Sequence, residues 1–242
     1  NEPCRGVASP CGKKPVAPTG GWWPMAMSCS ATGETLLAGS GRREARRYGC
    51  PVTTRVVVLV SGSGTLLQAL LDAVTAGEVD ARVVAVVSDQ PAAHALERAR
   101  AAGVPAVAHP LVKGLDRDQW DAELTEIVAG FQPDMVASAG FMKLLGKNFL
   151  ARFGGRTINT HPALLPSFPG MHGPRDALNH GVKVSGATIF LVDSGVDTGR
   201  ILAQGAVDVL PDDTVETLHE RIKVVERRLL VETVRAWNEG ET

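Results

Sequence analysis

The segment that most restricts how this chain can fold is an unbroken apolar run, VVVLV, at residues 56–60. Consecutive apolar residues, mostly β-branched, are typical of a strand that is buried on both faces, as in a parallel sheet. The run leads into the turn SGSG at 61–64 and then into an apolar, helix-forming segment at 65–71. A strand, a glycine turn and a helix in that order predict the first unit of an α/β fold.

The same alternation continues along the chain. The pattern predicts strands at 83–87, 104–108, 135–139 and 156–158, and helices at 92–102 and 118–130. Farther on we expect two strands, 186–192 and 201–209, and a long helix at 214–238. Strands that alternate with helices favour a mostly parallel sheet with helices on both faces.

Residues 1–51 differ from the rest, because they mix Gly, Pro, Ser, Cys and basic residues without periodicity. We expect a disordered extension there and a folded domain over 52–242. All four cysteines precede Pro51, which favours a reducing, cytoplasmic setting for the folded part. No zinc-ligand cluster is present, so no metal is expected.

The net charge of −1 gives no electrostatic argument for binding nucleic acid or a membrane surface. No apolar run approaches the roughly 20 residues that span a bilayer. We therefore expect small-molecule substrates, and the charge leaves room for a homodimer.

The glycine turn at 61–64 lies where open α/β sheets bind ligands, and the helix after it offers free N–H groups to a phosphate. The alternative is a tight turn that binds nothing. A dinucleotide fingerprint is disfavoured because Leu67 replaces its third glycine, and the turn lacks the lysine of a Walker A loop. The pattern suits a single phosphate monoester.

Asn159 and His161 are two residues apart on a predicted strand end, so their side chains face the same side. Asp197 lies in a glycine-bearing loop between two later strands and could reach the imidazole. For each residue alone, a structural histidine or an ordinary turn aspartate is the simpler interpretation. Together, an amide donor, a proton carrier and an orienting carboxylate suit acyl transfer to an amine. The segment around His161 offers no Ser or Cys candidate nucleophile, which favours direct transfer without an acyl-enzyme.

Four segments in order carry a specific resemblance: VSGSGTLLQ at 60–68, AGFMKLL at 139–145, NTHPALLP at 159–166 and VDTG at 196–199. Residues 54–238 resemble the glycinamide ribonucleotide formyltransferases, which use 10-formyltetrahydrofolate as co-substrate in purine biosynthesis. The resemblance implies a Rossmann-like formyltransferase fold with a mostly parallel, twisted sheet and a C-terminal antiparallel portion. It also implies that Asn159, His161 and Asp197 are catalytic, with His161 as proton donor and Asp197 raising its pKa.

The resemblance further assigns ligand-binding residues on both sides of this trio. Leu66 replaces a residue that is usually polar, so its contact would be through the backbone. Substrate binding is implied for Gly64, Thr65, Leu66 and, through the ribose hydroxyls, Glu226. Folate binding is implied for Arg117, Asn159 and the backbone of Met142, Lys143, Leu144 and Leu145.

Other functions remain open at this point. Formyltetrahydrofolate deformylase, a hydrolase, has a similar site, but it normally carries an N-terminal regulatory domain that residues 1–51 do not resemble. Methionyl-tRNA formyltransferase adds a basic C-terminal domain. A non-catalytic nucleotide-binding module is disfavoured because all three polar residues are present.

Overall fold

The computed structural model describes residues 53–239, which form one seven-stranded sheet and six helices. The strands are β1 (Thr54–Val60), β2 (Ala81–Ser88), β3 (Ala106–Ala108), β4 (Met135–Ser138), β5 (Thr157–His161), β6 (Val184–Leu191) and β7 (Ile201–Asp208). The helices are α1 (Thr65–Thr75), α2 (His94–Ala101), α3 (Arg117–Gly130), α4 (Lys147–Phe153), α5 (Gly173–His180) and α6 (Val215–Glu239).

The sheet has the order β3-β2-β1-β4-β5-β6-β7. The first five strands in this order pair in parallel, and β6 and β7 are antiparallel to their neighbours. The predicted Rossmann-like fold with a C-terminal antiparallel portion is therefore confirmed. The chain order reverses at β1, so a crevice is expected between the carboxyl ends of β1 and β4, where such folds bind ligands.

The hydrophobic core lies in two layers, one on each face of the sheet. Alternate residues of β1 point to opposite faces, because side chains alternate along a strand. Val58 packs in the layer that contains α1, α2 and α6, and Leu59 packs in the layer that contains α3 and α4. The two layers separate the residues predicted to bind the substrate from those predicted to bind the folate.

Two short helices, α4 and α5, have no counterpart in the sequence prediction. Helix α4 begins against a carboxylate from α3, since Asp121 accepts hydrogen bonds from the backbone N–H groups of Gly146, Asn148 and Phe149 at 2.7, 2.9 and 3.2 Å. Asp121 is 1% exposed and supplies the N-terminal capping that the local sequence lacks. The predicted disordered extension, residues 1–51, lies outside the described residues.

Candidate functional site

The site residues lie at one edge of the sheet, where the parallel strands end. Asn159 and His161 are in the last three residues of β5, Ser61 follows β1, and Asp89 follows β2. His161 is 3% exposed, whereas Asn159 is half-buried. No partner for the Asn159 side-chain amide is found within residues 53–239, so its N–H groups are available to a ligand.

His161 and Asp197 come together although they are far apart in sequence. The His161 Nδ1 atom is 3.5 Å from Asp197 Oδ2, and the Nε2 atom is 2.8 Å from the backbone oxygen of Phe168. Asp197 Oδ2 also accepts a hydrogen bond of 2.7 Å from the N–H of Gly170. Both ring nitrogens therefore face acceptor atoms, and a doubly protonated ring could donate to both.

Both partners of His161 have unusual backbone conformations. Among the described non-glycine residues only Gln132, Phe168 and Asp197 have positive φ angles, and those of Phe168 and Asp197 are 56° and 55°. Such conformations cost about 1 kcal/mol or more and are concentrated at functional sites. Two of the three flank one imidazole, which supports the surroundings of His161 as the candidate functional site.

The turn after β1 presents free backbone N–H groups at the start of α1. Gly64 precedes the helix with φ 72°, and no side chain caps this end. A Cβ atom at Gly64 would lie 2.6 Å from the Cβ of Ala95 on α2, so only glycine fits without a shift. Leu66 is 8% exposed and packs in the core, which leaves its backbone as the part that can face a ligand.

Glu226 lies on α6, on the same side of the sheet as α1. It is 4% exposed, and its interactions include a hydrogen bond with Thr160, whose side chain alternates with those of Asn159 and His161 along β5. Burial raises the pKa of Glu226 to about 7, although Thr160 and two nearby cations act in the opposite direction. A carboxyl with this pKa is a candidate ligand-binding group.

The segment that connects β4 to α4, residues 139–146, is here called the β4–α4 loop. Arg117, at the start of α3, donates from Nη2 to the backbone oxygen of Leu144 and lies over the ring of Trp120, 4.4 Å from its centroid. The other terminal nitrogen of Arg117, Nη1, is buried without a hydrogen-bond partner among the described residues. Met142 and Leu144 are 60% and 64% exposed, so the loop offers apolar surface beside the unpaired Nη1 donor of Arg117.

The two groups of predicted ligand-binding residues lie on opposite sides of the sheet. Leu66 belongs to the core layer of α1 and α6, whereas Leu145 packs against the layer of α3 and α4. Asn159 and His161 lie at the sheet edge between them.

The prediction missed three polar residues that hold these segments. Asp89 and Ser61 contact Lys143 and Met142 of the β4–α4 loop. Asp121 accepts a hydrogen bond from Gly146 at the end of that loop. Asp89 carried a usable signal, because it directly follows a buried strand in an α/β fold. Asp121 carried another, because it lies next to Trp120 on the buried side of α3.

Within the described residues, none of the helices is long and apolar enough to cross a membrane. Residues 53–239 also contain no group of three or more His, Cys, Asp or Glu side chains that could hold a metal ion.

The chain matches a known protein family. Residues 54–234 match the model of the formyl transferase family. The chain therefore belongs to this family and is a formyltransferase, as its sequence motifs predict.

The similar proteins define its branch within that family. A phosphoribosylglycinamide formyltransferase from Mycobacterium tuberculosis is 58% identical over 182 residues, covering 75% of this chain and 84% of that protein. The trifunctional purine biosynthetic protein adenosine-3 of Drosophila melanogaster is 44% identical over 174 residues, covering 71% of this chain and 13% of that protein. The crystal structure of glycinamide ribonucleotide transformylase 1 from Symbiobacterium toebii superposes with a TM-score of 0.76 at 46% identity, covering 78% of this chain and 89% of that one.

Proposed function

We propose that this formyltransferase moves the formyl group of 10-formyltetrahydrofolate to the primary amine of glycinamide ribonucleotide, in purine biosynthesis and in the cytoplasm. The observation that carries the proposal is the 3.5 Å approach of Asp197 to His161 at the end of β5, beside a half-buried amide, Asn159, with no side-chain partner among the described residues. The names of the similar proteins support both the acceptor and the pathway.

The acceptor binds on the side of α1 and α6. The free N–H groups of Gly64, Thr65 and Leu66 bind its phosphate, because the start of a helix combines unpaired donors with the positive end of the helix dipole. Glu226 lies on the same side and accepts hydrogen bonds from its ribose hydroxyls. A phosphate at one end and a carboxyl acceptor at the other fix the ribonucleotide in one orientation.

The formyl donor binds on the side of α3 and α4. The backbone groups of the β4–α4 loop pair with the polar edge of the pterin, and the contact residues are Met142, Lys143, Leu144 and Leu145. Arg117 supplies a charged donor to the folate, for which its buried and unpaired Nη1 atom is suited. Asn159 lies between this side and the acceptor.

The chemistry is direct acyl transfer. The amine nitrogen forms a bond to the formyl carbon, Asn159 donates to the developing oxyanion, and the bond between that carbon and N10 then breaks. The amine gives up a proton to the imidazole of His161, and the imidazole gives one to N10, so the proton count balances. Asp197 orients the ring. For His161 to deliver its Nε2 proton to N10, the hydrogen bond between Nε2 and the backbone oxygen of Phe168 must break.

The assay that tests this function uses 10-formyltetrahydrofolate with and without glycinamide ribonucleotide. We expect tetrahydrofolate to form only when the ribonucleotide is present, with one formyl group transferred per folate. Equal turnover without the ribonucleotide would instead identify a deformylase. A formyl-enzyme trapped by rapid quenching would contradict direct transfer.

Replacement of Gly64 by alanine tests the phosphate site. The added Cβ would meet Ala95 at 2.6 Å in a backbone conformation with φ +72°, so the start of α1 must shift. We expect the KM for the ribonucleotide to rise about tenfold or more, which corresponds to roughly 1.4 kcal/mol, while the KM for the formyl donor changes little. Steady-state kinetics with each substrate varied in turn measure both values.

Gly77→Ala is the matched control, because Gly77 has φ +73° but nothing within 4 Å of the added Cβ. It should lower stability by about 1 kcal/mol without changing either KM. If Gly64→Ala leaves the ribonucleotide KM unchanged, the phosphate is not bound at the start of α1.

A further inference from the structure

A buried carboxylate joins three strand ends beneath the proposed folate site. Asp89 follows β2, its side chain is fully buried, and the Nζ atom of Lys143 in the β4–α4 loop lies 3.2 Å from its Oδ2. Gln90 donates to the same oxygen at 3.0 Å, and the hydroxyl of Ser61, after β1, donates to the other. Each of these three neighbours donates to the carboxylate.

The Ser61 hydroxyl links Asp89 to the backbone of the β4–α4 loop. Because its proton is donated to Asp89, its oxygen is left to accept, and it accepts the N–H of Met142 at 2.7 Å. The N–H of Ser61 donates in turn to the backbone oxygen of Gly140 at 3.0 Å. Asp89 therefore determines which way Ser61 points, and Ser61 determines where Met142 lies.

The surroundings of Asp89 favour its negatively charged form. Burial acts to raise its pKa, but hydrogen bonds from Ser61, Gln90 and Lys143 outweigh it and hold that pKa below its ordinary value. The side chain of Lys143 is only 29% exposed, and its ammonium group lies 3.2 Å from Asp89 Oδ2, so the side chain is held against the protein. This ion pair ties the β4–α4 loop to the end of β2.

We propose that Asp89 is a positioning residue for the formyl donor: through Ser61 and Lys143 it holds the β4–α4 loop in the conformation that binds folate, without touching the folate. This inference rests on the proposed function of the loop. It predicts that loss of the carboxylate weakens donor binding selectively, because the ribonucleotide binds on the other side of the sheet.

Asp89→Asn is the primary variant. It keeps the shape but turns an NH2 group toward Ser61 or toward Lys143 and Gln90, all of which are donors. We expect the KM for 10-formyltetrahydrofolate and the Kd for tetrahydrofolate, measured by calorimetry, to rise about tenfold, the effect of losing one hydrogen bond of ordinary strength. The KM for the ribonucleotide should stay within about twofold.

Ser61→Ala is the second variant, since it keeps the pair of Asp89 and Lys143 but removes the link to Met142. It should also raise the two folate constants selectively. Asp213→Asn is the matched control: Asp213 has a 3% exposed side chain paired with Arg221, and it follows the far edge strand β7. This control should lower the melting temperature without separating donor from acceptor constants.

The outcomes separate the two proposals. If the wild-type protein does not bind tetrahydrofolate, the proposed function fails and the positioning role fails with it. If the wild type binds it and the Asp89 and Ser61 variants bind it equally well, only the positioning role is overturned. If the Asp89 variant raises both KM values in parallel and lowers the melting temperature as Asp213→Asn is expected to do, Asp89 has a merely structural role. That result would also overturn the positioning role.

Discussion

Replacement of His161 by alanine is expected to lower kcat for formyl transfer by about 10²-fold to 10⁴-fold, the range for loss of a general acid or base. The reason is that His161 is the only imidazole brought against Asp197 among the described residues, and N10 is a poor leaving group unless it receives a proton. The rate of tetrahydrofolate formation at saturating concentrations of both substrates measures the effect.

Two further variants make this result specific. His94→Ala removes an exposed histidine on α2 and should leave kcat within about twofold. Asp197→Asn keeps an acceptor for the N–H of Gly170 and should lower kcat less than His161→Ala while altering its pH dependence. A near-normal kcat in both site variants would discard the proposed proton chemistry.

The second large effect concerns Glu226 and pH. Its pKa is raised from 4.5 to about 7 by burial, so the folded protein holds this proton more tightly than the unfolded chain does. Stability from this group is therefore greatest below about pH 4.5 and is lost as pH rises toward 7, by on the order of 3 kcal/mol. Glu226→Gln should be less sensitive to pH in this range and more stable than wild type at pH 8.

Urea unfolding at pH 5, 6, 7 and 8 measures the difference between the two proteins at each pH. Glu232→Gln is the control, because Glu232 is an exposed carboxylate on the same helix, paired with Arg228. The advantage of Glu226→Gln over wild type should grow with pH, whereas that of the control should not. A constant difference for Glu226→Gln would mean that its carboxyl is ionised throughout.

The sequence predicted all seven strands and the other four helices of the fold but missed the short helices α4 and α5, for a physical reason. The apolar run at 56–60 specifies a buried strand by itself, and the long pattern at 214–238 specifies a helix. Helix α4 has seven residues, and its first turn is capped by Asp121, 25 residues before Gly146. Short helices that depend on such distant contacts leave little local pattern.

The candidate site, like the fold, could be predicted only in part. Asn159 and His161 could be placed on one side of a strand because their spacing alone requires it. The predicted approach of Asp197 to His161 is present at 3.5 Å, but the catalytic roles stay predictions. The links from Asp89 through Ser61 to Met142 needed the strand order β2-β1-β4, which fixes which strand ends are neighbours and cannot be read from spacing.

The sheet separates the proposed ribonucleotide site from the proposed folate site, and this separation bears on the order of events in a catalytic cycle. If the ribonucleotide and the folate occupy opposite sides, neither blocks the path of the other to Asn159 and His161. Both can be bound at once, and either product can depart first. Such an arrangement suits a transfer in which the formyl group passes between two simultaneously bound molecules at the rim of the sheet and never resides on the protein.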